Sequence, residues 1–322
     1  MINICTIFNL KYLYQGLSLY GSLSKNSSEF CWRVLCMDRE TKRFMEKLDL
    51  PGVKLIDLAE IETDNLRTTR RERTDSEYCW TIKGTFMIHI FETEKNVESL
   101  LYVDSDMFFF SDPKKIFELM SKYSLGITPH RFPKNQKSIE KETGRYNAGI
   151  IFFRKDKIGL ECLEKWSRQC IEWCYLKLED GKFCDQMYLD QWSALYPGRV
   201  RELLHKGINL APWNVGRYSI ANKTGKTKVD DQDLILYHFH QFKLNSSFVF
   251  RRVRGYALSK SIIEHIYEPY EKSLRDSSRL VFKIKPLLWA RLELSFMKSY
   301  LLSEYEIFCR KLADKLNLEM PD

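Results

Sequence analysis

An α/β fold, a mostly parallel sheet with helices on both faces, is what the chain predicts, and two features predict it. Apolar strand-like runs alternate with stretches of three-to-four spacing through the N-terminal half, and one such run ends in paired carboxylates, Leu100-Leu101-Tyr102-Val103-Asp104-Ser105-Asp106. In open sheets of this kind ligands bind beyond the carboxyl ends of the strands. A third observation is the change after Leu258 to segments rich in Lys, Arg and large apolar residues, which adds a C-terminal helical extension.

In order, Ile2–Phe8 reads as a buried strand, Tyr14–Ser24 as an amphipathic helix, Phe30–Met37 as a strand, Glu40–Leu48 as a helix, and Val53–Asp57 as a strand after Pro51-Gly52. Asn65–Glu77 is a charged stretch, a solvated face or one that sends an arginine or the nearby Lys83 to a phosphate. A helix over Tyr78–Phe91 leads to the Asp pair, and Asp112-Pro113 opens another over Lys114–Lys122. Leu125–Thr128 is a short strand. Pro133–Arg145 lacks apolar periodicity and is expected as a loop able to order over a substrate. Tyr146-Asn147-Ala148-Gly149 then opens a strongly apolar strand whose small residues allow close approach by a backbone or ligand. Ile158–Leu178 is expected as one long helix, with Cys170 and Cys174 in its packing stripe, and Asp185-Gln186 as the opening of the next, through Trp192. Asp185 is there either a cap or an acceptor for a sugar hydroxyl.

Asp104 and Asp106, two apart on an extended chain, point to one side. Such carboxylates repel unless a cation lies between them, which indicates Mg²⁺ or Mn²⁺. His238 and His240 repeat that alternation at the end of Leu234–Lys243, and imidazole suits Mn²⁺ at least as well. No Gly-x-Gly-x-x-Gly occurs. Thr224-Gly225-Lys226-Thr227 lacks the earlier glycine of a P-loop, because Ile220 stands there.

With 322 residues, 44% of them apolar, the chain can bury a sizeable core, and its net charge of +8 suggests anionic company. The nine cysteines include no Cys-x-x-Cys pair, so reduced thiols in a cytosolic protein are expected. Met1-Ile2-Asn3-Ile4 enters a strand directly, without a secretory pattern. No run of about 18 apolar residues predicts a spanning helix. No nucleic-acid motif is present. Residues 258–322, with Pro286 as a break, read either as a helical region packed on a catalytic domain of residues 1–257 or as an amphipathic surface on an anionic membrane.

The ordered pieces resemble the nucleotide-sugar glycosyltransferases of the GT-A fold, particularly the bacterial lipopolysaccharide-type group near family eight, over roughly residues 2 to 243. What carries the resemblance is Asn9 and Tyr12 after the first strand, Tyr102–Asp106, Tyr146–Gly149, Asp185-Gln186, and His238 with Lys243. The resemblance implies a metal-dependent transferase using a nucleoside-diphosphate sugar, UDP-linked by preference, and a glycan or lipid-linked acceptor. It places Phe8, Asn9 and Tyr12 at the nucleotide, and Asp104, Ser105 and Asp106 with His238 or His240 at the cation. Lys243 would meet the diphosphate, and Asn147, Asp185 and Gln186 the sugar and acceptor. The family's glycine and Lys-Pro-Trp are replaced here by His238-Phe239-His240-Gln241-Phe242-Lys243-Leu244. A phosphohydrolase with Asp104 as nucleophile is the alternative enzyme, although Phe108 stands where such enzymes place Thr or Val. A non-catalytic basic membrane module is the third reading. A cytoplasmic location, peripheral on the inner face of the plasma membrane, accompanies the transferase reading.

Overall fold

The computed structural model describes residues 1–316, with side chains described through residue 305. Its main sheet is built from β1 (Ile2–Phe8), β2 (Phe30–Cys36), β3 (Val53–Asp57), β4 (Ser99–Val103), β6 (Leu125–Pro129), β7 (Tyr146–Arg154) and β8 (Val200–Glu202), with β5 (Met107–Phe109) leaving it after β4. The order is β3-β2-β1-β4-β7-β6-β8. The first four are parallel, β7 runs antiparallel to both neighbours, and β8 is parallel to β6. This is the mostly parallel mixed sheet expected.

Strand alternation divides the interior into two layers. Ile4, Leu101, Val103, Ile150 and Phe152 face the side covered by the helix Leu13–Asn26 and the C-terminal helices. Cys5, Leu100, Tyr102, Ile151 and Phe153 face the side covered by the helices Lys83–Thr93 and Lys157–Glu172.

Several boundaries differ from expectation for identifiable reasons. The charged stretch forms two helices, Asp64–Arg71 and Asp75–Thr81, each started by a threonine cap, Thr63 and Thr74. The helix expected over Tyr78–Phe91 is two, meeting at Ile82. The expected long helix ends at Glu172 because Arg73 takes the carbonyls of Cys170 and Ile171 at its C-terminus. The segment expected as a loop over Pro133–Arg145 is instead a 3₁₀ turn, Lys134–Gln136, and a short helix, Lys137–Thr143. Its one apolar anchor, Ile139, docks on Phe132 and Trp213, too little to show as periodicity. Asp185-Gln186 does not begin an α-helix. Met187–Gln191 is a 3₁₀ turn followed by the single turn Trp192–Leu195.

β9 (Ile220–Lys223), β10 (Lys226–Val229) and β11 (Gln232–Asp233) form a small antiparallel sheet. Thr224 and Gly225, both at positive φ, are the turn of its first hairpin, which accounts for the P-loop-like spelling. β12 (Leu236–His238) pairs antiparallel with β5, setting His238 opposite Met107. A final ribbon joins β13 (Lys243–Leu244) to β14 (Phe250–Arg251).

The C-terminal region opens with a short helical turn, Lys260–Ile262, capped by Ser259, passes through a π turn, Ile263–Tyr267, and continues as the helix Glu268–Ile284. A last helix runs from Pro286 to Leu316, with proline at the first position, where no intrahelical N–H is required. Leu274, Val281, Leu288, Leu292 and Phe296 are buried in the same core as Ile4 and Val103. Ser18 bonds Ser273 at 2.8 Å, and the Tyr14 hydroxyl bonds Glu293 at 3.1 Å. Residues 317–322 of the segment read as membrane-facing lie outside the described residues. Among the described residues no helix is long and apolar enough to cross a membrane.

Candidate active site

The site lies where β4 ends. After Val103 the chain turns, with the Met107 N–H donating to the Asp104 carbonyl at 3.2 Å, and leaves as β5. The β5–β12 ribbon fixes what stands opposite: the Phe239 N–H donates to the Asp106 carbonyl at 2.9 Å. This register carries His238 to the carboxylates. Its Nε2 is 3.2 Å from Asp106 Oδ1 and 4.0 Å from Asp104 Oδ2. One ligand atom from each of Asp104, Asp106 and His238 lies within 4.8 Å of the others. Two carboxylate oxygens and one imidazole nitrogen make a donor set suited to Mn²⁺ or Mg²⁺.

The electrostatics follow this arrangement. Burial opposes ionisation of Asp106, but His238 by charge and hydrogen bond outweighs it and draws the carboxyl below its usual range. Burial likewise disfavours a charged His238, and Asp106 and then Asp104 overcome it, raising the imidazole's pKa. A cation held by the same atoms would replace that proton. His240 is exposed, its ring 5.9 Å from that of His238 and 5.3 Å from that of Trp213. Although the residue is exposed as a whole, desolvation by the groups packed around it, then His238, lowers its pKa to about 4.

Behind the pair stands Lys83, 1% exposed. Its Nζ is 3.2 Å from Asp104 Oδ1, 2.9 Å from Asp185 Oδ2 and 3.1 Å from the Ala148 carbonyl, and it lies over the Tyr102 ring. Burial alone would discharge this amine, and the two carboxylates outweigh burial and hold it cationic. Burial pushes the Asp185 carboxyl up against the pull of Lys83. The Tyr102 hydroxyl donates to Asp104 Oδ1 at 2.9 Å. Asp104 therefore spends one oxygen on Lys83 and Tyr102 and turns the other toward His238.

Asn147, from β7, accepts from the Gly149 N–H at 3.1 Å and donates to Gln186 Oε1 at 3.3 Å. Gly149 is where these groups converge. A Cβ there would lie 2.8 Å from Asn147 Oδ1, His238 Cε1 and Met107 Cε alike.

The remaining candidates come from the end of β1, the carboxylate turn itself and β13. Asn9 caps a short turn, its Oδ1 accepting from the Lys11 N–H at 3.1 Å. Tyr12 is 43% exposed as a whole, yet desolvation of its hydroxyl, then Asp106, push its pKa up to about 12. The Phe8 side chain is buried and stacks on Trp32, so the ring belongs to the core. Ser105 is buried at the tip of the carboxylate turn, and Lys243 is exposed on β13. Of the charged stretch, Arg67 and Arg70 pair with Glu62, and Arg73 caps a helix, so these three are structural.

Sequence reading noted Tyr102 only as part of the carboxylate run, without a role of its own, and did not single out Asn209. The role of Tyr102 could have been found, because it shares the strand face of Asp104 two residues on. Asn209, buried between Ile208 and Leu210, gave only the signal of an amide in an apolar run.

Two Bacillus subtilis (strain 168) proteins, both uncharacterized, are similar along most of the chain. YfnF is 33% identical over 279 residues, covering 84% of this chain and 90% of its own. YfnD is 30% identical over 273 residues, covering 84% and 88%. Among solved structures, the galactosyltransferase LgtC, in complex with donor and acceptor sugar analogues, superposes with a TM-score of 0.52 at 16% identity, over 84% of this chain and 96% of that one. That likeness gives the fold, the GT-A arrangement. Residues 32–203 match the nucleotide-diphospho-sugar transferases, and the chain belongs to that family of glycosyltransferases.

Proposed function

We propose that the protein transfers a sugar from a nucleoside-diphosphate sugar, UDP-linked by preference, to a glycan or lipid-linked glycan of a bacterial surface polysaccharide or lipopolysaccharide. The convergence of Asp104, Asp106 and His238 at the end of β4 carries this reading. A divalent cation held by these three, Mn²⁺ or Mg²⁺, would supply positive charge to the diphosphate as the anomeric C–O bond breaks.

The chain's own groups would do the rest. Lys83 and Tyr102 both engage Asp104 Oδ1 and fix the carboxylate, leaving Oδ2, turned toward His238, to serve as a ligand. Asn9 and Tyr12, just after β1, would border the base, where Phe8 could offer only backbone atoms because its ring is buried against Trp32. Lys243, exposed on β13, would meet the diphosphate. Asn147, Asp185 and Gln186 would orient sugar and acceptor hydroxyls, which is the entropic part of catalysis. Hydrolytic use of Asp104 as a nucleophile is disfavoured by the match to the nucleotide-diphospho-sugar transferases.

Membrane attachment through residues 258–322 is part of the proposal. It draws support from Leu287, Leu294, Leu301 and Tyr305, exposed on the last helix among Arg291 and Lys298. Incubation with Mn²⁺ and a panel of UDP- and GDP-sugars tests the reaction. Donor turnover is expected for the native protein and none for the double variant Asp104→Ala/Asp106→Ala. Full turnover by that variant would sink the assignment, and phosphate release from simple monoesters would favour hydrolysis.

A further inference from the structure

Asn209 is fully buried, with φ at +53°, a left-handed conformation that asparagine tolerates better than most residues with a side chain. Arg131 clamps the backbone beside it, donating from Nη2 to the carbonyls of Ile208 and Asn209 at 2.7 and 3.1 Å and from Nη1 to that of His205 at 3.1 Å. So held, Asn209 Nδ2 donates to Thr128 Oγ1 at 2.7 Å and to Asn147 Oδ1 at 3.1 Å.

The direction of this contact is set by two backbone groups outside it. The Gly149 N–H, which can only donate, fixes the oxygen end of Asn147, and the Thr143 carbonyl, which can only accept, fixes the nitrogen end of Gln186 at 2.7 Å. Between these anchors Asn147 Nδ2 donates to Gln186 Oε1. Three amides therefore run head to tail, Asn209 to Asn147 to Gln186, ending on Thr143. Turning Asn209 over would set oxygen against oxygen at Asn147. In the orientation it keeps, its own Oδ1 is buried without a partner. An unpaired buried acceptor is destabilising, and the left-handed turn alone does not require it. Aligned bonds of this kind also polarise one another.

We propose that Asn209 is a positioning residue: by supplying a second donor to Asn147 Oδ1, it holds the Asn147 amino group and the Gln186 carbonyl oxygen in the single orientation offered to the transferred sugar. The inference rests on the proposed placement of Asn147 and Gln186 at that sugar. Two substitutions separate it from a simple turn role. Asn209→Gly keeps the left-handed backbone and removes the amide. Asn209→Asp keeps size and turn but presents oxygen to Asn147, which must turn over or lose the contact.

With UDP and Mn²⁺ as the binding probe, both variants should bind within about twofold of the native protein. With the best donor of the native panel, N209D should lower kcat at least about tenfold, and further than N209G, with KM within about threefold. In ¹⁵N spectra the Asn147 side-chain NH₂ resonance should move in N209D. Native kcat in N209D, or equal loss in both variants with an unmoved Asn147 resonance, would overturn the proposal. The spectrum is read independently of turnover. Should the native protein use no nucleotide sugar, the proposed reaction fails, while a moved resonance still upholds the orienting role and an unmoved one overturns it.

Discussion

At the scale of single residues, the site is a balance of charge in a partly buried space. Lys83 lies between Asp104 and Asp185, and removing its charge leaves two carboxylates close together without compensation. Lys83→Met is expected to lower stability by about 3–5 kcal/mol, read by urea denaturation; a loss below about 1 kcal/mol would show that the carboxylates do not depend on it. Gly149 is a steric counterpart. Gly149→Ala places a methyl 2.8 Å from both Asn147 Oδ1 and His238 Cε1, so turnover should fall at least about tenfold, because small displacements of positioned groups are costly. Much of this centre was legible, since Asp104 with Asp106, and His238 with His240, stand two residues apart at the ends of apolar runs. What was not legible is which oxygen of Asp104 each partner takes, because Lys83 and Asp185 are brought together only by tertiary packing.

At the scale of elements, the β5–β12 ribbon joins the two halves of the site, and its register decides that His238, rather than His240, meets the carboxylates. The sequence showed two histidines in alternation and no partner strand, so the choice lay in pairing between segments far apart in the chain. Helix ends were hidden for a related reason: Arg73 closes a helix almost a hundred positions away. One junction of elements has a pH signature. Glu94, after the helix Lys83–Thr93, is bonded by Arg33 on β2 and Lys54 on β3. Arg33, against a smaller desolvation cost, holds its carboxyl down to about 2. A depressed folded-state value stabilises above the unfolded pKa of about 4.3, and that stability is lost as pH falls toward 2. Glu94→Gln should therefore cost about 2 kcal/mol at pH 7, with the difference shrinking toward zero near pH 2. Denaturation midpoints at the two pH values check this, and a difference independent of pH would contradict it.

At the scale of the whole molecule, the C-terminal helices close the core on one side and leave an apolar outer face on the other. The composition after Leu258 announced helices and basic charge, while which face is covered depended on Leu288, Leu292 and Phe296 meeting the N-terminal layer. Leu292→Ala should destabilise the fold by about 2–5 kcal/mol. Leu294→Glu with Leu301→Glu, on the outer face, should leave stability and turnover of a water-soluble acceptor unchanged while reducing co-flotation with anionic vesicles. Unchanged flotation would remove the membrane part of the proposal. The central claim, that Asp104, Asp106 and His238 form a cation site serving a nucleotide diphosphate, is tested most directly by calorimetric titration of UDP with Mn²⁺ or with EDTA. In the native protein, Mn²⁺ should tighten UDP binding at least about tenfold, about 1.4 kcal/mol, and Asp106→Asn, folded by its thermal transition, should abolish that gain. Equal UDP affinity with and without Mn²⁺, or a gain that survives Asp106→Asn, would contradict it.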